Sequence, residues 1–347
     1  MQYCARQRLD DLLWHGRRIR QSNPEECDMN KFYRLLAASL LLAAFQPLQA
    51  QQYPAKPVRV IVPFAPGGGS DITARQFSAK LTEYLGQQFV VDNRGGAGGL
   101  IGMELTAQAP ADGYTIMMMS GSFSATSALH KPAFEPIRNI IPVAEFGVTP
   151  FVLTVHPSLP TKTAKALIDM ARARPGELAY ASTGIGGITH LATELLASMA
   201  GIRMINVPYK STGAAMTDLL SGQVSIIVGS LLPVVPHVKT GRLRPLAVTT
   251  EKRWYALPDV PTLNETIPGY VVELWFGTMA PRGTPQAVID AVNGAINKAL
   301  QQADVKQSLD KQGMAPTGGT PQKFGERINR EYARWSKVVQ DNGIQAR

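Results

Sequence analysis

Cysteine is nearly missing from this 347-residue chain: its two copies, Cys4 and Cys27, both fall in the first twenty-eight positions. Histidine is sparse as well, with five copies. Beyond residue 50 only His130, His156, His190 and His237 remain, and they lack metal-ligand spacing. These shortages exclude a disulfide-stapled scaffold, thiolate chemistry and a Cys/His metal centre. The apolar run from Leu35 to Phe45 is eleven residues, well short of the roughly 20 that cross a bilayer. Enzyme signatures are broken. The string GIGGIT at 184–189 puts Thr189 where a dinucleotide fingerprint has its third glycine, Lys210-Ser211 has no P-loop glycines before it, and no G-x-S-x-G elbow occurs. The expectation is a protein with no catalytic residue, no metal and no cofactor.

Apolar residues make up 45% of the chain and charged residues 18%, the balance of a packed globular protein. Residues 1–28 are polar and show no sustained period. At Met29 the character changes to a basic segment with Lys31 and Arg34, the apolar run, and a polar stretch ending in the small residue Ala50. That is the layout of a secretory signal peptide over 29–50, cut near Ala50, which predicts a periplasmic protein. Translation is expected to start at Met29, with 1–28 a mis-called extension. Cleavage leaves 28 basic against 21 acidic residues. The excess is spread along the chain, which predicts a soluble surface and no nucleic-acid partner.

From Val58 onward short apolar strands alternate with helical segments of ten to fifteen residues, the pattern of βαβ units in an open, mostly parallel α/β sheet. One series runs from the strand Val58–Val62 to the strand Thr115–Met119. A second starts with the strand Phe151–Val155 and ends at Thr249. The proline-rich stretch 251–284 fits a crossing back to the first series. Helices are expected over about 285–302, with Val288, Val292, Ile296 and Leu300 on one side, and over about 321–341. The boundaries predicted are 53–150 with 255–347 for one lobe and 151–254 for the other.

Two glycine-rich corners organise this layout: PFAPGGGSDITAR at 63–75 and STGIGGITH at 182–190. Each joins a strand to a helix, where unpaired N–H groups of the first turn carry a partial positive charge and the backbone can approach a guest closely. In open α/β sheets ligands sit beyond the carboxyl ends of the strands. The candidate ligand-binding residues in these loops are Gly68, Gly69 and Asp71 in the first corner, Ser120 after the third strand, Ser182 and Thr183 in the second corner, and Tyr209 and Lys210 in the loop PYKST. Each has a plainer alternative. The glycines serve any sharp turn, Asp71 suits an N-cap, and Ser182 and Thr183 suit a cap for the helix after them. His190 is expected to be packed and hydrogen-bonded, and Arg327, Arg330, Arg334 and Lys337 to form a solvated helix face.

The strings VPFAPGGGSDITAR, NRGGAGGLIG, ADGYT, YASTGIGGITHLATELL, VPYKS, GRLRPLAVTT, ALPDVPTLNE and WFGTMAPRGTP, in this order across 53–345, closely resemble the periplasmic solute receptors of tripartite tricarboxylate transporters, the Bug family. The resemblance implies a two-lobed, type II Venus flytrap that holds a small carboxylate (a di- or tricarboxylate, an aromatic acid or an amino acid) between its lobes, met by Phe64, Gly68 and Gly69 of the first corner and by Ser182, Thr183, Gly184 and Gly186 of the second. It further implies a monomer whose partners are the membrane permease subunits of such a transporter or, alternatively, a sensor kinase. Two positions depart from the pattern: Ser211 stands where a glycine is usual, and Ser230 where relatives often carry an acidic or amide residue. The second departure tells against a ligand whose ammonium needs an acidic partner. An α/β enzyme acting on a carboxylated substrate is the remaining alternative.

Overall fold

The computed structural model describes residues 53–130 and 134–345; the signal segment and the expected start at Met29 lie outside the described residues. Val-Arg-Val-Ile-Val folds as β1 (Val58–Val62), with four of its five side chains fully buried. It is followed by α1 (Gly69–Leu85), β2 (Phe89–Asn93), α2 (Leu100–Ala107), β3 (Thr115–Ser120), α3 (Ser122–Leu129) and a one-turn α4 (Pro136–Asn139). The long β4 (Ile140–Val155) leads to α5 (Ala164–Ala173), β5 (Ala179–Ser182), α6 (Ile188–Ala200), β6 (Ile205–Pro208), α7 (Thr212–Ser221), β7 (Ile226–Ser230), α8 (Leu231–Lys239) and β8 (Arg244–Val248). The chain ends with α9 (Leu263–Thr266), β9 (Glu273–Pro281), α10 (Gln286–Ala299), α11 (Ala303–Lys311), β10 (Ala315–Pro316) and α12 (Pro321–Asp341).

The strands form one path in the order β2-β1-β3-β9-β4-β7-β5-β6, with β8 and β10 also paired to β4. The outer pairs run parallel, as the strand-helix alternation predicts: β1 with β2 and β3, and β5 with β6 and β7. The two middle strands run antiparallel to their neighbours. This α/β architecture of a curled mixed sheet flanked by helices is the expected fold class, and the crossing strands are what periodicity alone left out. Only Phe151–Val155 reads as a strand in the sequence, because Pro142, Gly147 and Pro150 interrupt the apolar pattern before it. The structure carries β4 through those residues with register shifts at Pro142/Ala144 and Glu145/Gly147, bulges that let a strand tolerate proline and glycine. Likewise, the irregular segment 251–284 contains β9, and α9 is set by a capping box between Thr262 and Glu265.

The predicted face of α10 is buried at Val288, Val292 and Ile296, with Leu300 just past its end, and α12 spans the predicted residues. One expectation about α12 fails. Arg327 is not part of a solvated face: its guanidinium lies 3.1 Å from Glu273, 3.6 Å from Glu145 and 4.0 Å from Glu331, and its side chain is only 20% exposed. Arg334 lies over the Trp335 ring, while Arg330 and Lys337 do face solvent. Apolar spacing shows which side of α12 is buried but cannot reveal that β4 and β9 each place a glutamate under that helix.

Candidate ligand-binding site

A cavity of about 340 Å³ opens at the carboxyl ends of β1, β3, β5, β6 and β7, and the helix that follows each of them, α1, α3, α6, α7 and α8, contributes first-turn or capping residues to its wall. These helices begin with N–H groups that have no partner within the helix, and each start carries about half a positive charge. Only α7 has a side-chain cap: Ser211 Oγ accepts from Ala214 N–H at 3.3 Å, whereas α1, α3, α6 and α8 start without one. The floor is apolar. Phe151 comes from β4, Leu274 and Phe276 from β9, and Ile227 from β7. Among the described residues, no aspartate or glutamate lines the cavity.

The first corner contributes Phe64, Gly68 and Gly69 to the wall. A Cβ on Gly69 would come within 3.2 Å of the Phe276 ring, so glycine here lets the start of α1 lie against the floor. Asp71 is not in the wall. It is buried beneath the loop, accepting from Gly67 N–H, Arg75 Nε and Asn93 Nδ2, each at 3.0 Å, while Asn93 also donates to the Phe64 carbonyl. Burial pushes the Asp71 carboxyl up, but the bonds from Arg75, Gly67 and Asn93 outweigh that and hold it below the usual carboxylate range. Asp71 therefore braces the loop that carries the neutral donors.

In the second corner only Thr183 of the four candidates reaches the wall. Its N–H donates to Thr189 Oγ1 at 2.9 Å, and the two hydroxyls are also 2.9 Å apart. The cap of α6 is Gly187, so neither Ser182 nor Thr183 caps that helix as expected. Ser182 is fully buried, its hydroxyl without a protein partner. Gly184 lies off the cavity, and Gly186 packs against α3, where a Cβ would meet Leu129 at 2.2 Å. The Gly186 N–H donates to His190 Nδ1 at 3.1 Å, so His190 is packed and bonded as predicted; burial lowers its pKa, with Glu194 opposing.

Ser120 lines the cavity, with its hydroxyl 3.4 Å from that of Ser122, a long contact that leaves both with hydrogen-bonding capacity. In PYKST the two candidates separate. Lys210 is exposed and lines the wall, whereas Tyr209 turns away and donates to Asp218 at 2.8 Å. Sequence reasoning missed Ser122, two residues past the candidate Ser120, and Thr189, inside the second glycine corner, as wall residues. It also missed Phe151 and Ile227, which read as ordinary buried strand positions.

Residues 73–344 match the family described as the tripartite tricarboxylate transporter family receptor. The chain belongs to this family. It is 39% identical over 301 residues to Protein BugT of Bordetella pertussis, a match covering 86% of this chain and 92% of that one. Among solved structures it is similar to R. palustris Rpa4515 with adipate, at 38% identity and a TM-score of 0.80 over 84% of this chain and 99% of that one. It is similar also to MatC from Rhodopseudomonas palustris with bound malate, at 31% identity and 0.78 over 83% and 100%. The architecture is thus that of a periplasmic binding protein, and the role of this tripartite tricarboxylate transporter receptor is solute capture for transport.

Proposed function

We propose that this receptor holds a small carboxylate in the cavity described above and presents it to the membrane permease of a tripartite tricarboxylate transporter. The observation that carries the reading is the convergence of five helix starts on a cavity whose wall has spare hydroxyls and no carboxylate. Such a site is electrostatically complete only with an anion in it. Relatives of the same architecture hold adipate and malate, which supports a carboxylate as that anion. Phe64, Gly68, Gly69, Ser120, Thr183 and Lys210 are the candidates placed to touch it. Asp71, Ser182, Gly184, Gly186 and Tyr209 act behind them.

Residues 53–150 with 255–347 and residues 151–254 form the two lobes of this reading, joined by β4, which runs from one into the other, and by the return of the chain near residue 255. An anion held by helix starts from both lobes stabilises the closed arrangement over the open one. The receptor acts as an exported monomer released by cleavage near Ala50, and it binds its solute without transforming it. The family match to a transporter receptor favours uptake over delivery to a sensor kinase.

Native mass spectrometry of protein purified without denaturation, followed by a thermal-shift screen of di- and tricarboxylates, aromatic acids and amino acids, tests this. The expected result is a bound acid of unchanged mass and a melting temperature that rises with ligand concentration. Turnover of an acid by the purified protein, or a screen in which none shifts the transition, refutes it.

A further inference from the structure

The wall of the cavity narrows the kind of acid that fits. Its floor is hydrocarbon, with Phe151, Leu274 and Phe276 from the two crossing strands, and Leu232 and Pro233 from the first turn of α8 extend that surface on one side. A hydroxylated or charged body laid on this floor loses its water without gaining partners. The hydrogen-bonding groups stand around the floor, at the helix starts.

The charge distribution is equally one-sided. Five helices point their positive ends at the space, and the exposed Lys210 adds a formal positive charge. The acid nearest in sequence to a wall loop, Asp71, is buried below it with three donors already bound. Ser230, at the start of α8, lines the wall with a neutral hydroxyl and makes no capping bond with it. An ammonium inside the cavity would lose its water, find no counter-ion and face positive ends.

We infer that the cavity selects an acid with an aliphatic or aromatic body and excludes ligands that carry an ammonium group, because its floor is apolar and its wall holds no carboxylate. This deepens the receptor reading and rests on it.

Isothermal titration of the full receptor with matched pairs tests the inference: adipate against 2-aminoadipate, and 3-phenylpropionate against phenylalanine, with malate and citrate as compact hydroxylated acids. The expected result is that adipate or 3-phenylpropionate binds at least tenfold more tightly than its amino counterpart, and more tightly than malate and citrate. Equal or tighter binding of the amino partner overturns ammonium exclusion. Binding of malate or citrate but of neither apolar acid overturns the apolar body while leaving the receptor reading intact, and failure of all six removes both. A variant isolates the cause. Ser230→Asp keeps a favoured capping residue at the start of α8, which circular dichroism verifies, and should narrow the adipate to 2-aminoadipate ratio by tenfold or more. A ratio unchanged in that variant overturns the assignment of the exclusion to the missing carboxylate.

Discussion

The strand β9 has two faces, and they handle charge in opposite ways. Leu274 and Phe276 look into the ligand cavity, where positive potential comes from uncharged peptide groups and Lys210 and no acid answers it. Glu273 and Trp275, on the alternate positions, serve α12: Glu273 pairs with Arg327 at 3.1 Å, and Trp275 Nε1 donates to Glu331 at 2.7 Å. There three carboxylates, Glu145, Glu273 and Glu331, crowd around Arg327. The cavity is left incomplete so that a guest can complete it, whereas the cluster is completed within the chain. Binding capacity and stability are thereby assigned to opposite sides of one strand by its period of two.

The largest effect should come from removing the cation of the cluster. Arg327→Met leaves three carboxylates without their shared partner on a surface packed against the sheet, and truncating one side of a buried pair typically costs 3–5 kcal/mol. Because the Arg327 side chain retains 20% exposure, we expect about 2–3 kcal/mol, read from urea unfolding at pH 7. Affinity for a bound acid should move far less. A variant that keeps its stability but loses binding would break the division between the two faces.

Next in size is a pH effect confined to the same side. Burial pushes the Glu331 carboxyl up to about 7 from an ordinary 4.5, opposed by the bond from Trp275 and by Arg327 and Arg334, while Glu145 pushes it further up. A carboxyl whose folded pKa is raised favours the fold while protonated. Its contribution is therefore complete below about 4.5 and is lost as pH rises from there through about 7. Glu331→Gln keeps an acceptor for Trp275 and cannot ionise. The stability difference between variant and parent should grow in the variant's favour between pH 5 and pH 8, by roughly 2 kcal/mol. A flat difference across that range would mean that Glu331 stays in its ordinary range.

On the cavity face the expected effects are in affinity. Thr183→Val preserves shape and removes a hydroxyl that lines the wall beside Thr189. It should weaken acid binding by about 1–2 kcal/mol, five- to thirtyfold, with a smaller loss of stability. Calorimetric titration decides it, and unchanged affinity would take Thr183 out of the contact set.

The two faces were not equally legible in the sequence. The glycine corners could be read because a strand-to-helix turn with close backbone approach admits few other residues, and of the candidates in them Phe64, Gly68, Gly69 and Thr183 line the cavity. Within a corner the reading could not tell wall from support: Gly186 is needed against Leu129, and Asp71 against Gly67, Arg75 and Asn93. Tyr209 and Lys210 are adjacent in sequence, yet only one points at the cavity, since neighbouring side chains diverge and Asp218 was available to Tyr209. The cluster was illegible because its members come from positions 145, 273, 327 and 331, which the β9–β4 crossing brings together. α3 was missed for a local reason: SFSATSAL has small polar residues where a helix pattern needs large apolar ones.

Lys210 gives the smallest expected effect and the sharpest comparison, because it is the formal charge on the face that otherwise works with peptide dipoles. Its ammonium stands at the exposed end of the PYKST loop, where water and salt screen it. The helix starts are fixed within the wall and pay little reorganisation when an anion arrives. If they hold the ligand, Lys210→Met should weaken binding of a dianionic acid only about two- to fivefold at low ionic strength, and the difference should vanish by about 0.5 M salt. It should also slow association more than it speeds dissociation, the signature of a charge that steers an anion toward the site. A loss of a hundredfold or more that persists in high salt would instead make Lys210 a desolvated partner of the ligand, and the contrast between a dipolar face and a charged face would fail at that residue.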